Sequence, residues 1–172
     1  MKYRDIYQWL MLPLFLFTVV GLLFFGSACE STNTSISPPS KTVAPGETFT
    51  VDVLVTPAAP IAGAQFDLSF DPSLVTVISV EEGNLFNQGG FNTFSLPGTI
   101  DNDAGTITGV ASVITTCGGT MTVPGTLATI TFIASPIEGT SPLDLTNVIA
   151  GSKQGQRVTV QVNYGSVTVS NP

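Results

Sequence analysis

Between Ile61 and Phe86 the sequence IAGAQFDLSFDPSLVTVISVEEGNLF places Ala64, Phe66, Leu68 and Phe70 on one side of a two-residue alternation and Gln65, Asp67 and Ser69 on the other. A β-strand sends successive side chains to opposite faces, so this spacing predicts a strand with one dry face. Asp71-Pro72-Ser73 then reverses the chain. Proline presets φ at the second corner of a type I turn, and an aspartate before it can bond the backbone two residues on. A second apolar run, Leu74 to Val80, returns and is closed by Glu81-Glu82-Gly83.

The pattern repeats along the chain. Phe49, Val51, Val53 and Val55 alternate after the turn Ala44-Pro45-Gly46-Glu47, and a short strand is expected near Phe91 to Leu96. Further on, Ile107, Ala111 and Val113 predict an inward ladder with Thr106, Thr108 and Ser112 facing out. Ala128, Ile130, Phe132 and Ala134 predict another, with Leu127, Thr129 and Thr131 outside. Leu143 to Ile149 is a short strand or a crossing segment. Val158, Val160 and Val162 with Val167 and Val169 across Asn163-Tyr164-Gly165 predict a closing hairpin. Nothing beyond residue 29 keeps a helical period for three turns. Many short strands at roughly ten-residue spacing specify an all-β sandwich or barrel.

The N-terminus differs in kind. Lys2 and Arg4 precede Trp9 to Phe25, an uncharged run of 17 residues, which reads as an export signal or anchor helix within residues 1–29. Gly26-Ser27-Ala28-Cys29 resembles the lipobox of bacterial lipoproteins, with glycine where that motif prefers leucine. This makes Cys29 a lipidation candidate, beside ordinary cleavage or an uncleaved anchor. Each outcome puts the rest outside the cytoplasm, at the cell surface or extracellular. Residues 30–40, ESTNTSISPPS, are too polar to fold alone and read as a tether reaching on the order of 35 Å. Its tail near Ile36 to Val43 is expected to enter the sandwich as an edge strand.

Composition excludes several chemistries. The chain contains no histidine, which removes the commonest general base, the usual zinc ligand and every Ser-His or Cys-His arrangement. Beyond residue 29, Lys41, Lys153 and Arg157 are the only cations, against eleven acidic side chains. That balance argues against nucleic acid or an anionic membrane surface as partner. Asp101-Asn102-Asp103-Ala104-Gly105 has the look of a calcium loop but lacks a downstream bidentate carboxylate, and is expected to be a turn. Glu81 and Glu82 are adjacent, so they point to opposite faces and cannot act as a carboxylate pair. Cys117 lacks an obvious partner and nothing near it in sequence would activate its thiol. No metal or cofactor is therefore expected, and no enzyme activity.

The stretch Ile61 to Phe86, together with Gly105–Val113 (GTITGVASV) and Gly125–Phe132 (GTLATITF), resembles the cohesin domains of cellulosome scaffolds, over roughly Ser35 to Ser170. The first stretch is similar to the family's third and fourth strands, and the other two to its sixth and eighth. The resemblance implies a nine-stranded jelly-roll β-sandwich over residues 35–172. It also implies capture of a dockerin-like protein module on the sheet formed by strands eight, three, six and five, as in cellulosome-type assembly for polysaccharide degradation. The partner-binding face would then comprise Gln65, Asp67, Ser69, Thr106, Thr108, Ser112, Leu127 and Thr129. Where type I cohesins carry Asn and Asp near the start of the third strand, this chain has Gly63 and Gln65. The alternative is a carbohydrate-binding module of the same architecture, with polysaccharide as ligand. Against it, the chain beyond residue 29 has no tryptophan, one tyrosine (Tyr164) and seven phenylalanines that fall mostly on inward ladders.

Overall fold

The computed structural model describes residues 31–171. The apolar run, Cys29 and Glu30 lie outside them. All regular structure among the described residues is β: β1 (Thr32–Ser37), β2 (Ser40–Val43), β3 (Thr48–Thr56), β4 (Gly63–Ser69), β5 (Val75–Glu82), β6 (Thr93–Leu96), β7 (Thr99–Asp101), β8 (Thr106–Ile114), β9 (Gly125–Ala134), β10 (Gly139–Gly151), β11 (Arg157–Val158), β12 (Val160–Asn163) and β13 (Gly165–Val169). One sheet has the order β12-β1-β3-β9-β5. The other runs β2-β13-β10-β4-β8-β6, with β7 beside β8 and β11 beside β10. Several of these segments are one path briefly interrupted. β1 and β2 are parted at Pro38-Pro39, β6 and β7 at Pro97-Gly98, and β11 to β13 by single residues. Counted so, the sandwich has the nine strands of a jelly roll.

The alternating ladders fill the space between the sheets. Phe49, Val51, Val53 and Val55 from β3, Ile130 and Phe132 from β9, Phe66 and Leu68 from β4, and Leu143 and Leu145 from β10 are all buried. Phe49 and Phe132 face each other in the β3/β9 register and stack at 5.5 Å, while Phe70 from the opposite sheet meets Phe132 edge-on at 5.7 Å. Edge-to-face and offset stacks suit the ring quadrupoles, so this trio ties the two layers together. The turn expected at Asp71 is present. Ser73 donates both its hydroxyl (2.6 Å) and its backbone N–H (2.9 Å) to Asp71 Oδ1. Those bonds hold the Asp71 carboxyl below its ordinary pKa. They support the turn at neutral pH and weaken as pH falls through the lowered value.

Three expectations are corrected. Residues 32–40 are not a tether, because β1 starts at Thr32 and lies inside its sheet between β12 and β3. Its inward residues include Thr32 and Thr34, whose hydroxyls hide the strand from an apolar pattern. Second, the last two valine runs form no hairpin. β12 runs parallel to β1 in one sheet, and β13 pairs with β10 and β2 in the other. The chain changes sheets at Tyr164-Gly165, where a Cβ on Gly165 would lie 2.5 Å from Ile36 Cγ2. Third, Leu143 to Ile149 belongs to β10, the longest strand among the described residues, and that strand flanks β4.

Truncation of Phe132, which loses both aromatic partners and a fully buried ring, is expected to cost about 3–5 kcal/mol. Chemical denaturation of Phe132→Ala beside the parent chain measures it.

Candidate functional site

The outer face of β10-β4-β8-β6 is shaped by two bulges. Between Leu68↔Ile107 and Phe66↔Val110, β4 contributes only Asp67 while β8 contributes Thr108 and Gly109. Between Thr146↔Asp67 and Ile149↔Gln65, β4 contributes Phe66 and β10 contributes Asn147 and Val148. Both bulges need positive φ: Gly109 at 74° and Asn147 at 48°. Glycine tolerates that region freely and asparagine better than most residues. The Asp67 carboxylate holds both. Its Oδ1 accepts the Gly109 N–H at 2.7 Å, and its Oδ2 accepts from the Asn147 side-chain amide.

An extra residue exchanges the two faces of a strand. Before the bulge of β8, Ile107 points inward and Thr106 and Thr108 outward. Beyond it Val110, Ser112 and Ile114 are buried, while Ala111 and Val113 turn out. In β10 the same exchange carries Ile149 to the outside beside Gln65. The register then assembles two rows across the sheet. Phe94, Val113, Gly63 and Gly151 form one, and Leu96, Ala111, Gln65 and Ile149 the other. Phe94, Leu96 and Val113 remain 56%, 48% and 41% exposed, too much to be core side chains. With the loop Thr115–Gly119 and the turn after Gly151 they border a hollow of about 640 Å³, in which the two glycines leave the floor open. The other half of this face is polar, with Asp67, Ser69, Thr106, Thr108, Asp144 and Thr146.

The residues expected to form the binding face therefore separate into four groups. Gln65 lies within the apolar half. Asp67, Ser69, Thr106 and Thr108 share the polar half, and Asp67 is engaged in holding the bulges. Ser112 points inward, 4% exposed, and its hydroxyl donates to Glu82 Oε1 at 2.7 Å across the open edge of the sandwich. Leu127 and Thr129 are not on this sheet, because β9 lies between β3 and β5 in the other one. Leu127 is buried there, and the Thr129 hydroxyl donates to Asp52 Oδ1 at 2.6 Å. Alternation along a strand says which residues share a side of it, never which sheet it joins. The residues missed were Phe94, Leu96, Ala111, Val113 and Ile149. The available signal was Gly109, a glycine within a strand pattern, which often marks a bulge.

The other motifs resolve into structural roles. Asp101 Oδ1 accepts the N–H groups of Asp103 and Ala104 at 3.0 and 2.9 Å, and closes its own turn. The Asn102 side chain bonds both the N–H and the C=O of Val77 at 2.9 and 3.0 Å. Because β5 is an edge strand, this occupies backbone groups that would otherwise be open to another chain. Cys117 is free and exposed in the loop beside the hollow.

A family model for the cohesin domain matches residues 34–169. The chain belongs to the cohesin family. Among solved structures, this cohesin is similar to CaCohA2 from Clostridium acetobutylicum, with 22% identity and a TM-score of 0.65 over 82% of this chain and 92% of that one. It is similar to the sixth cohesin of scaffoldin B from Acetivibrio cellulolyticus, solved in complex with a Cel5 dockerin, with 19% identity and a TM-score of 0.64 over 82% of this chain and all of that one. A non-cellulosomal cohesin from the archaeon Archaeoglobus fulgidus gives 17% identity and a TM-score of 0.61 over 83% and 93%. No match is found among curated protein sequences.

Replacing Asp67 by Ala removes the acceptor for both bulges, and hydrogen bonds to charged groups are worth about 1.5–3 kcal/mol each. Because Asp67 is half exposed, a total loss of about 2–3 kcal/mol is expected for Asp67→Ala. Amide exchange is expected to accelerate around Gly109 and Asn147 before it does in β3 and β9. Hydrogen-exchange mass spectrometry distinguishes that local loosening from uniform destabilisation.

Proposed function

We propose that this cohesin is a non-catalytic adaptor, displayed outside the cell, that captures a dockerin-bearing protein through the outer face of β10-β4-β8-β6. The observation that carries the proposal is the pair of apolar rows brought to the surface by two bulges. A fold gains nothing by turning Phe94, Leu96, Val113 and Ile149 to water unless something covers them, and exposed apolar patches rimmed by polar groups are the usual mark of an interaction site. Counted in nine strands, the order β10-β4-β8-β6 is eight, three, six, five, the sheet on which the family resemblance puts dockerin docking. The segment Gly125–Ala134 is then the seventh strand and not the eighth. The polar row that dominates the sequence pattern becomes the rim, and the centre of contact moves to Gln65, Ala111 and Val113.

Polysaccharide binding has no comparable support. Among the described residues the exposed aromatic side chains, Phe94 and Tyr164, sit on β6 and in the β12–β13 crossover, at opposite sides of the sandwich, and so form no common platform.

A stable contact buries about 800 Å² on each partner, and its central residues carry most of the energy. Gln65→Arg and Val113→Arg are each expected to weaken dockerin capture at least ten-fold, about 1.4 kcal/mol, with little change in stability. Thr76→Arg, on the outer edge of the opposite sheet, is expected to leave it unchanged. The measurement is titration with dockerin modules beside cellulose and xylan sedimentation. Retention on sugar with no dockerin bound would reject the adaptor reading, and unimpaired binding by both hollow variants would move the site.

Display at the surface follows from the export segment, and lipidation of Cys29 is the anchoring route we favour. Cys29→Ser is expected to leave the precursor uncleaved or to release the chain into the medium. Normal processing with full membrane retention would count against lipidation.

A further inference from the structure

Among the described residues that border the apolar hollow, Lys153 alone carries a formal charge at neutral pH. Beyond residue 29 acidic side chains outnumber basic ones eleven to three, so a border with a cation and no carboxylate runs against the composition. A second cation stands beside it. Arg157 pairs with Gly151 and so extends the row Phe94, Val113, Gly63, Gly151 by one strand, on the same face. The turn that joins the two is tied down. Ser152 N–H donates to Gln156 O and Gly155 N–H to Ser152 O, both at 2.9 Å, and the Ser152 hydroxyl accepts the N–H groups of Gln154 and Gln156 at 3.3 Å. The backbone at Lys153 is therefore held, while both cationic side chains remain exposed.

The carboxylates nearest this corner point elsewhere or lie further along the strands. Glu82 bonds the Ser112 hydroxyl on the inward side of β8, and Glu81 pairs with Thr129 on the outside of the other sheet. On the face itself Asp67 is four residues along β4 from Gly63, and Asp144 pairs with Ser69, two residues further. At about 3.3 Å per residue these stand roughly 13 and 20 Å from the Gly63–Gly151 row, beyond a Debye length of about 8 Å at physiological salt. Along its strands the face passes from two cations through two apolar rows to carboxylates.

We propose that Lys153 and Arg157 are specificity-determining residues of the candidate docking face, and that the partner presents a carboxylate beside the apolar side chains it lays into the hollow. This rests on the docking reading of that face and names the chemistry of its partner. The open floor over Gly63 and Gly151 leaves room for a side chain from the partner. A carboxylate next to that side chain meets a mobile ammonium and a guanidinium able to bond both its oxygens. A basic residue in the same place is repelled, and a carboxylate at the far end of the face meets Asp67 and Asp144. The partner is thereby held in one direction along the strands and not in its reverse. Charges at the border of a contact act chiefly on the rate of encounter and on the choice between partners.

The test takes a dockerin module that binds the parent protein and follows association and dissociation with the full-length chain in detergent. Lys153→Met/Arg157→Gln is expected to lose about five-fold in affinity and Lys153→Glu/Arg157→Glu about twenty-five-fold, mostly in the association rate. Both losses should shrink by at least half in about 0.5 M salt. Lys41→Glu makes the same charge change away from the hollow, where Lys41 bonds Thr50 O, and is expected to alter binding less than about two-fold. Chemical denaturation is expected to leave the midpoints of both double variants unchanged. Substitution of each dockerin Asp and Glu by Lys in turn is then tried against Lys153→Glu/Arg157→Glu, and at least one is expected to restore most of the lost affinity. Equal binding by the parent and the doubly reversed chain overturns the proposal and leaves the adaptor reading standing. Weakening that no dockerin charge reversal repairs overturns the carboxylate as the partner's contact. A parent chain that binds no dockerin module overturns the docking reading, and this proposal with it.

Discussion

A β-strand's side chains alternate with a period of two, so one inserted residue exchanges inside for outside along everything that follows. The outer face of the eight-stranded sheet depends on two such insertions, at Thr108-Gly109 and Asn147-Val148, placed on either flank of β4. Left alone, each would weaken the ladder it interrupts. Asp67 prevents this because its carboxylate offers two oxygens that point out of the same strand. One meets the freed Gly109 N–H and the other the Asn147 amide. The polar half of the face thus determines what the apolar half presents. Were β8 to continue in phase, Val113 would be buried and Ser112 would stand in its place outside.

Much of the strand pattern was legible in the sequence, for a definite reason. Where one face of a strand is dry and the other wet, burial imposes an alternation that no other structure shares. β3, β4 and β9 carry it plainly, and the core residues Phe49, Phe66 and Phe132 follow from it. β1 did not, because its inward positions are Thr32, Thr34 and Ile36, and buried hydroxyls look like loop composition. They are tolerated because partners are at hand. Thr32 takes the Ala58 N–H, and the fully buried Ser141 takes that of Asp71 at 2.9 Å. Among the described residues no buried side-chain polar atom lacks a bond.

The candidate face was only half legible. Its central strand and the position of Gln65 follow from local alternation, and the docking function follows from resemblance. Sheet membership does not. β9 and β10 both follow β8, both alternate, and either could neighbour β4 as far as their own residues say. What decides is long-range. β9 has β3 and β5 on its two sides, whereas β10 reaches across to β4 and β13. The exposed apolar rows were lost for a related reason, since Ala111 and Val113 obey an inward pattern if the phase never changes. Gly109 was the only local sign that it does.

The division of this face into a half that holds the sheet and a half proposed to meet a partner has a consequence for how the module can vary. Phe94, Leu96, Val113 and Ile149 contribute little to the core, so changes among them alter complementarity with little loss of stability. Gly63 and Gly151 extend that freedom. An added Cβ at Gly63 would meet Val113 Cγ2 at 3.4 Å, an ordinary contact, and one at Gly151 would meet only Gln156 O at 4.0 Å. The hollow can therefore be made shallower without disturbing the backbone. By contrast Gly109, Asn147 and Asp67 are coupled, since a change in one strands the groups that the others bond. On the proposed docking reading, partner choice is free to drift on the apolar side, while the polar side holds the bulges that present it.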